Sequence, residues 1–129
     1  MEFRTLNAAS ARARIGSDVV LVDGWAAISG VLPIDLTNDK AALGDGIEPQ
    51  TARLLANLET LLGAVGLTKA DVVSVRLSLT DLPRLYERMN AVYVGFFPPE
   101  RRPTVSCVGV TALPRGALVA LDALARREA

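Results

Sequence analysis

Cys107 carries the strongest intrinsic nucleophile in this chain, yet the sequence offers nothing to activate it. It is the single cysteine among 129 residues, and the chain contains no histidine. A cysteine attacks as its thiolate, which a neighbouring histidine commonly generates. The composition therefore excludes Cys-His and Ser-His-Asp catalysis within one chain. We expect Cys107 to be a small buried hydrophobe or a pocket wall that presents its backbone carbonyl.

The same composition offers few side chains that could bind a metal ion. Histidine is the commonest neutral ligand, and one cysteine cannot replace it. Carboxylates alone could hold Mg²⁺ or Ca²⁺, but no spacing of the acidic residues resembles such a site. We therefore expect neither a metal nor a cofactor. A lone cysteine forms no intramolecular disulfide, which is typical of a protein of the reducing cytoplasm.

Ser29-Gly30 is a second candidate for chemistry, because it ends a predicted strand. Glycine lets a ligand or another backbone approach closely. The alternative is an ordinary turn that leads from the strand to Pro33. The residues alone favour the turn.

The elements that would position these residues follow from hydrophobic periodicity. Val19–Val22 and Trp25–Ser29 predict a β-hairpin around the turn Asp23-Gly24. Thr104–Val110 and Leu118–Ala125 predict two strands joined by a proline-glycine connection. A strand between these regions alternates apolar and polar side chains. This pattern predicts a polar face and a buried face, the latter formed by Val73, Val75, Leu77 and Leu79.

Two helices fill the remaining gaps. Leu54, Leu58, Leu61, Leu62 and Val65 lie on one helical face. We predict a capping box from Asp45 and Glu48 at its start, and Gly66 at its C′ position. Thr80-Asp81 is the predicted N-cap of the second helix, which buries Leu82, Leu85, Met89, Val92 and Phe96. Layer packing then places both helices on one face of a mixed sheet.

The charge balance argues against nucleic acid as a partner. The chain has 14 basic and 14 acidic side chains, so no general field attracts a polyanion. No apolar run approaches the ~20 residues that span a membrane, and the N-terminal residues lack the apolar core of a signal peptide. We expect a single domain, residues 1–129, located in the cytoplasm and bound to no membrane.

A set of motifs in order resembles one known family. The stretch P-x-x-S-C-V-x-V-x-x-L-P-x-G-A-x-V begins at Pro103 and is similar to the C-terminal motif of the RidA/YjgF (reactive-intermediate deaminase) family. Ser29-Gly30 with Pro33 is similar to the family's strand end. Further matches lie in the two helices, namely Gln50-Thr51, Asn57-Leu58, Thr80-Asp81-Leu82, Asn90 and Tyr93. The resemblance covers roughly residues 15–125.

The resemblance implies an α+β, chorismate-mutase-like fold: a six-stranded, mostly antiparallel mixed sheet with two helices on one face. It also implies a homotrimer in which the second sheet face is covered by neighbouring copies. Small-molecule pockets lie between subunits in this family, where 2-imino acids are hydrolysed to 2-keto acids and ammonia.

The matching positions define the expected ligand-binding residues, with no catalytic residue assigned. Ser29, Gly30, Asn90, Tyr93 and Cys107 are kept. Val105 stands where the family has its carboxylate-binding arginine, and Ala120 where it has a glutamate that holds the attacking water. Arg102, three residues upstream, is included as a candidate substitute for that arginine, the alternative being a surface arginine. Asp122 matches a second family acid, for which a surface or interface ion pair is the favoured reading.

These departures leave two functions open. One is hydrolysis of a reactive imine or enamine that depends less on a carboxylate clamp. The other is a non-catalytic module that binds a small metabolite on the same trimeric fold. Ribonuclease or chaperone activity, also attached to this family, is disfavoured by zero net charge and the lack of histidine.

Overall fold

A computed structural model describes residues 1–6, 15–38 and 40–128. The described chain forms six strands in the sheet order β1-β2-β3-β6-β4-β5. Two α-helices, α1 (Ile47–Gly63) and α2 (Leu82–Tyr93), connect them. The strands are β1 (Glu2–Arg4), β2 (Val19–Val22), β3 (Trp25–Val31), β4 (Val72–Leu79), β5 (Thr104–Gly109) and β6 (Val119–Arg126).

All neighbouring strands run antiparallel except β4 and β5, which are parallel. The two strands of the C-terminal stretch, β5 and β6, do not pair with each other, because β4 lies between them. Both helices pack on the same face, where one aliphatic core joins them to the sheet. The predicted α+β fold with a mostly antiparallel mixed sheet is therefore confirmed.

The hairpin of β2 and β3 turns where the sequence predicts. Asp23 and Gly24 have φ values of 51° and 80°, as a type I′ turn requires. That turn sets the register that places Val19 opposite Ile28 on the buried face. The hairpin thereby carries β3 to the Ser29-Gly30 bend.

Helix α1 ends as predicted but begins differently. Leu67 N–H donates to Leu62 O at 2.9 Å and Gly66 N–H to Gly63 O at 3.1 Å, the paired hydrogen bonds of a Schellman motif. Gly66, at φ 76°, fills its left-handed position. The predicted capping box is wrong, since the N-cap is Gly46, which has no side chain to accept a hydrogen bond from the first turn. Glu48 instead binds both Nε and Nη2 of Arg88 on α2, at 2.8 and 2.9 Å.

At the start of α2, a carboxylate again pairs with an arginine instead of capping the helix. Asp81 occupies the predicted N-cap position, but its side chain caps no backbone N–H. Its carboxylate accepts from Arg84 Nε at 2.8 Å instead. The helix buries Leu85, Met89 and Tyr93, while Leu82, Val92 and Phe96 are half-buried against the same core.

Strand β4 departs from simple alternation at its start. A register irregularity between Val72 and Ser74 breaks the pairing with β6. Val72 is buried in the core and Val73 is 42% exposed, so the prediction that Val73 is buried was wrong. A bulge adds one residue to a strand and so reverses the faces on either side of it.

The sheet face opposite the helices is partly apolar and uncovered in a single chain. A row of registered neighbours crosses it, comprising Phe3, Val20, Ala27 and Leu124. Phe3 is 62% exposed and Leu124 38%. Within the described residues, no helix has the length and apolarity needed to cross a membrane.

Candidate functional site

The structure collects four of the predicted ligand-binding residues around one small cavity. This α2–β5 cavity, of about 160 Å³, lies between α2 and the first half of β5. Its predicted members are Asn90, Tyr93, Arg102 and Val105, and Val94, Phe97 and Pro103 complete the lining. Asn90, Tyr93, Val94 and Phe97 follow helical spacing, so the last turn of α2 and the turn residues that follow it line one side of the cavity.

Val105 forms an exposed apolar wall of this cavity. It pairs with the buried Val75 of β4 and so points to the helix side of the sheet. Its side chain is 53% exposed, because β5 is the edge strand. A larger side chain at this position therefore meets solvent instead of a packed core.

Arg102 brings a positive charge to the same cavity from the segment just before β5. Its side chain is exposed, and no described residue accepts a hydrogen bond from it or forms an ion pair with it. The preceding arginine, Arg101, is committed elsewhere, to Ala70 O at 2.9 Å and Glu128 at 2.7 Å. Of these adjacent arginines, Arg102 has the guanidinium that is able to meet a ligand.

Cys107 lies two residues beyond Val105 on the same face of β5 and is half-buried against the core. It does not line the α2–β5 cavity. Burial raises the pKa of its thiol above the usual value, so the neutral form is favoured at physiological pH. That environment is typical of a structural cysteine and opposite to that of an activated nucleophile.

Ser29 and Gly30 line a different cavity of about 420 Å³, the β3-end cavity. Its other lining residues are Ile15, Gly16, Ser17, Leu32 and Pro114. Gly30 adopts φ 64°, a conformation that strongly favours glycine, and the β3–β6 register shifts between Ile28 and Val31. The conformation of the Ser29-Gly30 bend therefore depends on glycine at position 30 and on the register shift between β3 and β6.

Ala120 lies on the opposite face of the sheet from Val105. It pairs with Ser78 and packs with Leu32, Ile34 and Ala117, leaving 8% of its surface exposed. The predicted site residues thus fall into two groups that one chain does not bring together. Among the described residues, no group of three or more cysteine, aspartate or glutamate side chains could hold a metal ion.

Comparison with known proteins places this arrangement in a family. Residues 5–127 match the family model described as Endoribonuclease L-PSP. The chain belongs to the RidA/YjgF family. A RutC family protein of Pyrococcus abyssi is 33% identical over 112 residues, covering 87% of this chain and 86% of that protein. The crystal structure of RidA from Psychrobacter sp. PAMC 21119 superposes with a TM-score of 0.85 at 28% identity, covering 98% and 99% of the two chains.

One relative carries an activity in its name. The 2-iminobutanoate/2-iminopropanoate deaminase of Salmonella typhimurium is 30% identical over 128 residues, covering 96% of this RidA/YjgF chain and 98% of the relative. These matches confirm the family that the C-terminal motif indicated.

Asp122 lies beside the Ser29-Gly30 bend of this RidA/YjgF chain, and the sequence did not predict this contact. Its carboxylate lies on the outer face of β6 and accepts hydrogen bonds from the Ser29-Gly30 bend, at 2.6 Å from Gly30 N and 3.2 Å from Ser29 Oγ. Within the described chain it forms no ion pair with Arg76, its registered neighbour on β4. Its separation from the bend by more than 90 residues hides the contact from local sequence patterns.

Tyr93 gives the α2–β5 cavity a measurable pH signature. Its hydroxyl is buried with no hydrogen-bond partner among the described residues, and desolvation raises its pKa from 10.0 to about 12. Folding favours the neutral phenol, so this contribution to stability is full below pH 10 and is lost as pH rises to about 12. At pH 11 the loss is on the order of 1 kcal/mol. Tyr93→Phe is expected to abolish it.

The measurement is the free energy of unfolding in urea near pH 8 and about pH 11. Tyr86→Phe is the matched control, because Tyr86 lies on the same helix with 42% of its surface exposed. The alkaline loss should shrink in Tyr93→Phe and persist in Tyr86→Phe. Equal losses in wild type and both variants would show that the Tyr93 hydroxyl is not desolvated in solution.

Proposed function

We propose that this protein is a homotrimeric, cytoplasmic RidA-type hydrolase that converts a small reactive imine or enamine to a carbonyl compound and ammonia. Its pockets would lie between subunits and involve the eight positions considered above: Ser29, Gly30, Asn90, Tyr93, Arg102, Val105, Cys107 and Ala120. No side chain is assigned a catalytic role, and the reaction uses no cofactor or metal.

The observation that carries the proposal is the composition of the α2–β5 cavity. An uncommitted guanidinium at Arg102 and an amide at Asn90 stand beside an apolar wall of Val94, Phe97 and Val105. Such a lining suits a small molecule with one anionic or strongly polar end and one apolar end. Arginine binds planar anions in two-point geometry, which fixes orientation as well as position.

The proposed reaction asks little of the protein. The carbon of a protonated imine is already electrophilic, so water adds to it directly, and an enamine gives the same ion once its carbon takes up a proton. A proton then passes from the added oxygen to the nitrogen, and the adduct expels ammonia as the carbonyl forms and the remaining hydroxyl proton leaves. The water supplies the oxygen of the product, and no redox partner is needed. Holding the imine and the water close together in the reactive orientation supplies the rate gain.

Two features support assembly into a trimer. Phe3 and Leu124 expose apolar surface on the face opposite the helices, which a neighbouring copy would bury. Val105 and Ala120 lie on opposite faces of one sheet, so a site containing both positions needs two subunits.

Binding without turnover is the second candidate function. It is favoured by the apolar side chains at Val105 and Ala120, which can neither neutralise a carboxylate nor hold a water.

The endoribonuclease in the family model's description suggests a third activity. The exposed arginines Arg84, Arg88 and Arg101 are each paired with an acid, so we continue to predict no nucleic-acid partner.

The test measures ammonia release from imines generated in situ by an amino-acid oxidase, with uncharged imines in parallel. Wild type should exceed the buffer rate, and Arg102→Ala should reduce the rate on acidic imines about tenfold or more, because a charged hydrogen bond of about 1.5–3 kcal/mol is lost. Arg84→Ala, on α2 but paired with Asp81, is the control. Binding detected by thermal shift without any turnover would favour the second candidate.

A further inference from the structure

One oxygen atom of Asp122 contacts both residues of the Ser29-Gly30 bend. Asp122 Oδ1 accepts both the Gly30 N–H, at 2.6 Å, and the Ser29 hydroxyl, at 3.2 Å. Hydrogen bonds to a carboxylate are stronger than those between neutral groups. The bend is therefore fixed by one neighbouring side chain on β6 as well as by its own backbone.

The bend needs such a support because it interrupts regular pairing. The register between β3 and β6 shifts between Ile28 and Val31, so the ladder does not fix the peptide groups of Ser29 and Gly30 in the regular way. Gly30 at φ 64° has access to a wider range of conformations than any other residue type. Asp122 restricts that range to the conformation that lines the β3-end cavity.

The segment that follows the bend is held by a different residue. Asn57 Nδ2 donates to Leu32 O and to Ile34 O, both at 2.8 Å. Asn57 is 2% exposed and belongs to the core, whereas Asp122 is exposed. Removing the Asp122 carboxylate should therefore disturb the bend with little effect on global stability.

We propose that Asp122 is a positioning residue for ligand recognition at the β3-end cavity, acting through Ser29 and Gly30 without touching the ligand. This inference rests on the proposed function, because it assumes that the bend contacts a ligand. Asp122 does not line the cavity itself. Its role is to accept hydrogen bonds, so its charge and its proton are not required.

The experiment compares Asp122→Asn with Asp122→Ala. Because one oxygen accepts both hydrogen bonds, the single carbonyl oxygen of asparagine is able to replace it, whereas alanine removes both. We expect Asp122→Asn to keep the rate of imine hydrolysis within about twofold of wild type with an unchanged pH profile. We expect Asp122→Ala to lose fivefold or more while remaining folded. Arg76→Ala, opposite Asp122 on β4, is the control for a cross-strand charge effect.

A second readout does not depend on turnover. The amide hydrogen of Gly30 should exchange with solvent at least about tenfold faster in Asp122→Ala than in wild type or Asp122→Asn. If wild type hydrolyses imines and Asp122→Ala is equally active, the inference is wrong. A loss in Asp122→Asn as large as in Asp122→Ala would instead make Asp122 an acid-base group and also overturn it. A wild type with neither turnover nor ligand binding would overturn the proposed function and the inference with it.

Discussion

Replacing Asn57 by alanine is expected to lower the free energy of unfolding by about 2–6 kcal/mol, at about 1–3 kcal/mol for each buried carbonyl left unpaired. The amide of Asn57 donates one hydrogen to Leu32 O and the other to Ile34 O, and the side chain is 2% exposed. Alanine supplies neither donor, and the buried space offers water poor access. The effect should be among the largest of any polar substitution in the chain.

The measurement is urea-induced unfolding monitored by circular dichroism. Thr60→Ala is the matched control, because Thr60 is also a polar residue of α1, but it is exposed and bonds within its own helix, to Ala56 O. It should change stability by less than about 0.5 kcal/mol. An Asn57→Ala protein as stable as Thr60→Ala would show that the two carbonyls find other donors, and that Asn57 does not hold the segment after β3.

The contrast between Gly66 and Glu48 shows which local sequence signals were sufficient to predict the structure. Gly66 and Asp23-Gly24 act through their own φ angles, so short patterns predict them correctly. Glu48 has a choice between a cap on its own helix and a guanidinium 40 residues away, and the bidentate contact with Arg88 forms instead. A single sequence gives no means of seeing that second partner.

Val73 illustrates a limit on predicting which face of a strand is buried. Alternation in β4 is clear from Val75 onward and correctly indicates the core face. The bulge at Val72 and Val73 depends on pairing with β6, some 50 residues later in the chain. Hydrophobic alternation assigns Val73 to the wrong face because it carries no information on that pairing.

The contacts within the candidate site also differ in whether local sequence patterns can predict them. Asn90 and Tyr93 lie three residues apart on one helix, so their sharing of a cavity follows from helical geometry. That Val105 and Arg102 join them depends on the parallel pairing of β4 and β5, which brings the edge strand beside α2. The contact between Asp122 and Gly30 depends on strand pairing and on a bulge together, and no local pattern reports it.

Positions 105 and 120 differ in whether they could accommodate the charged side chains that the family has there. The sequence suggests restoring both family residues, through Val105→Arg and Ala120→Glu. Ala120 is 8% exposed among Leu32, Ile34 and Ala117, so a glutamate there would bury a carboxylate at a cost of several kcal/mol. Val105 is 53% exposed beside the cavity, so an arginine fits without overpacking.

Val105→Arg alone is therefore expected to raise the hydrolysis of small 2-imino acids by about tenfold or more. A new charged hydrogen bond contributes about 1.5–3 kcal/mol, which gives that factor if it acts in the transition state. Hydrolysis of uncharged imines should not change, because they carry no carboxylate for the arginine to bind. The measurement is ammonia release from both kinds of imine, with chromatography to verify that the assembly is unaltered.

The variant Arg102→Ala combined with Val105→Arg separates two explanations of any result. If Arg102 is a weak substitute for the missing clamp, Arg102→Ala alone lowers the rate on 2-imino acids and the combined variant recovers it above the wild-type level. If Val105→Arg brings no gain in a folded protein of unchanged assembly, the effect of Arg102→Ala alone decides between two causes. A lower rate in Arg102→Ala would show that Arg102 already fills the role of the clamp. An unchanged rate would show that position 105 does not face the reacting ligand and that the proposed alignment of the site is wrong.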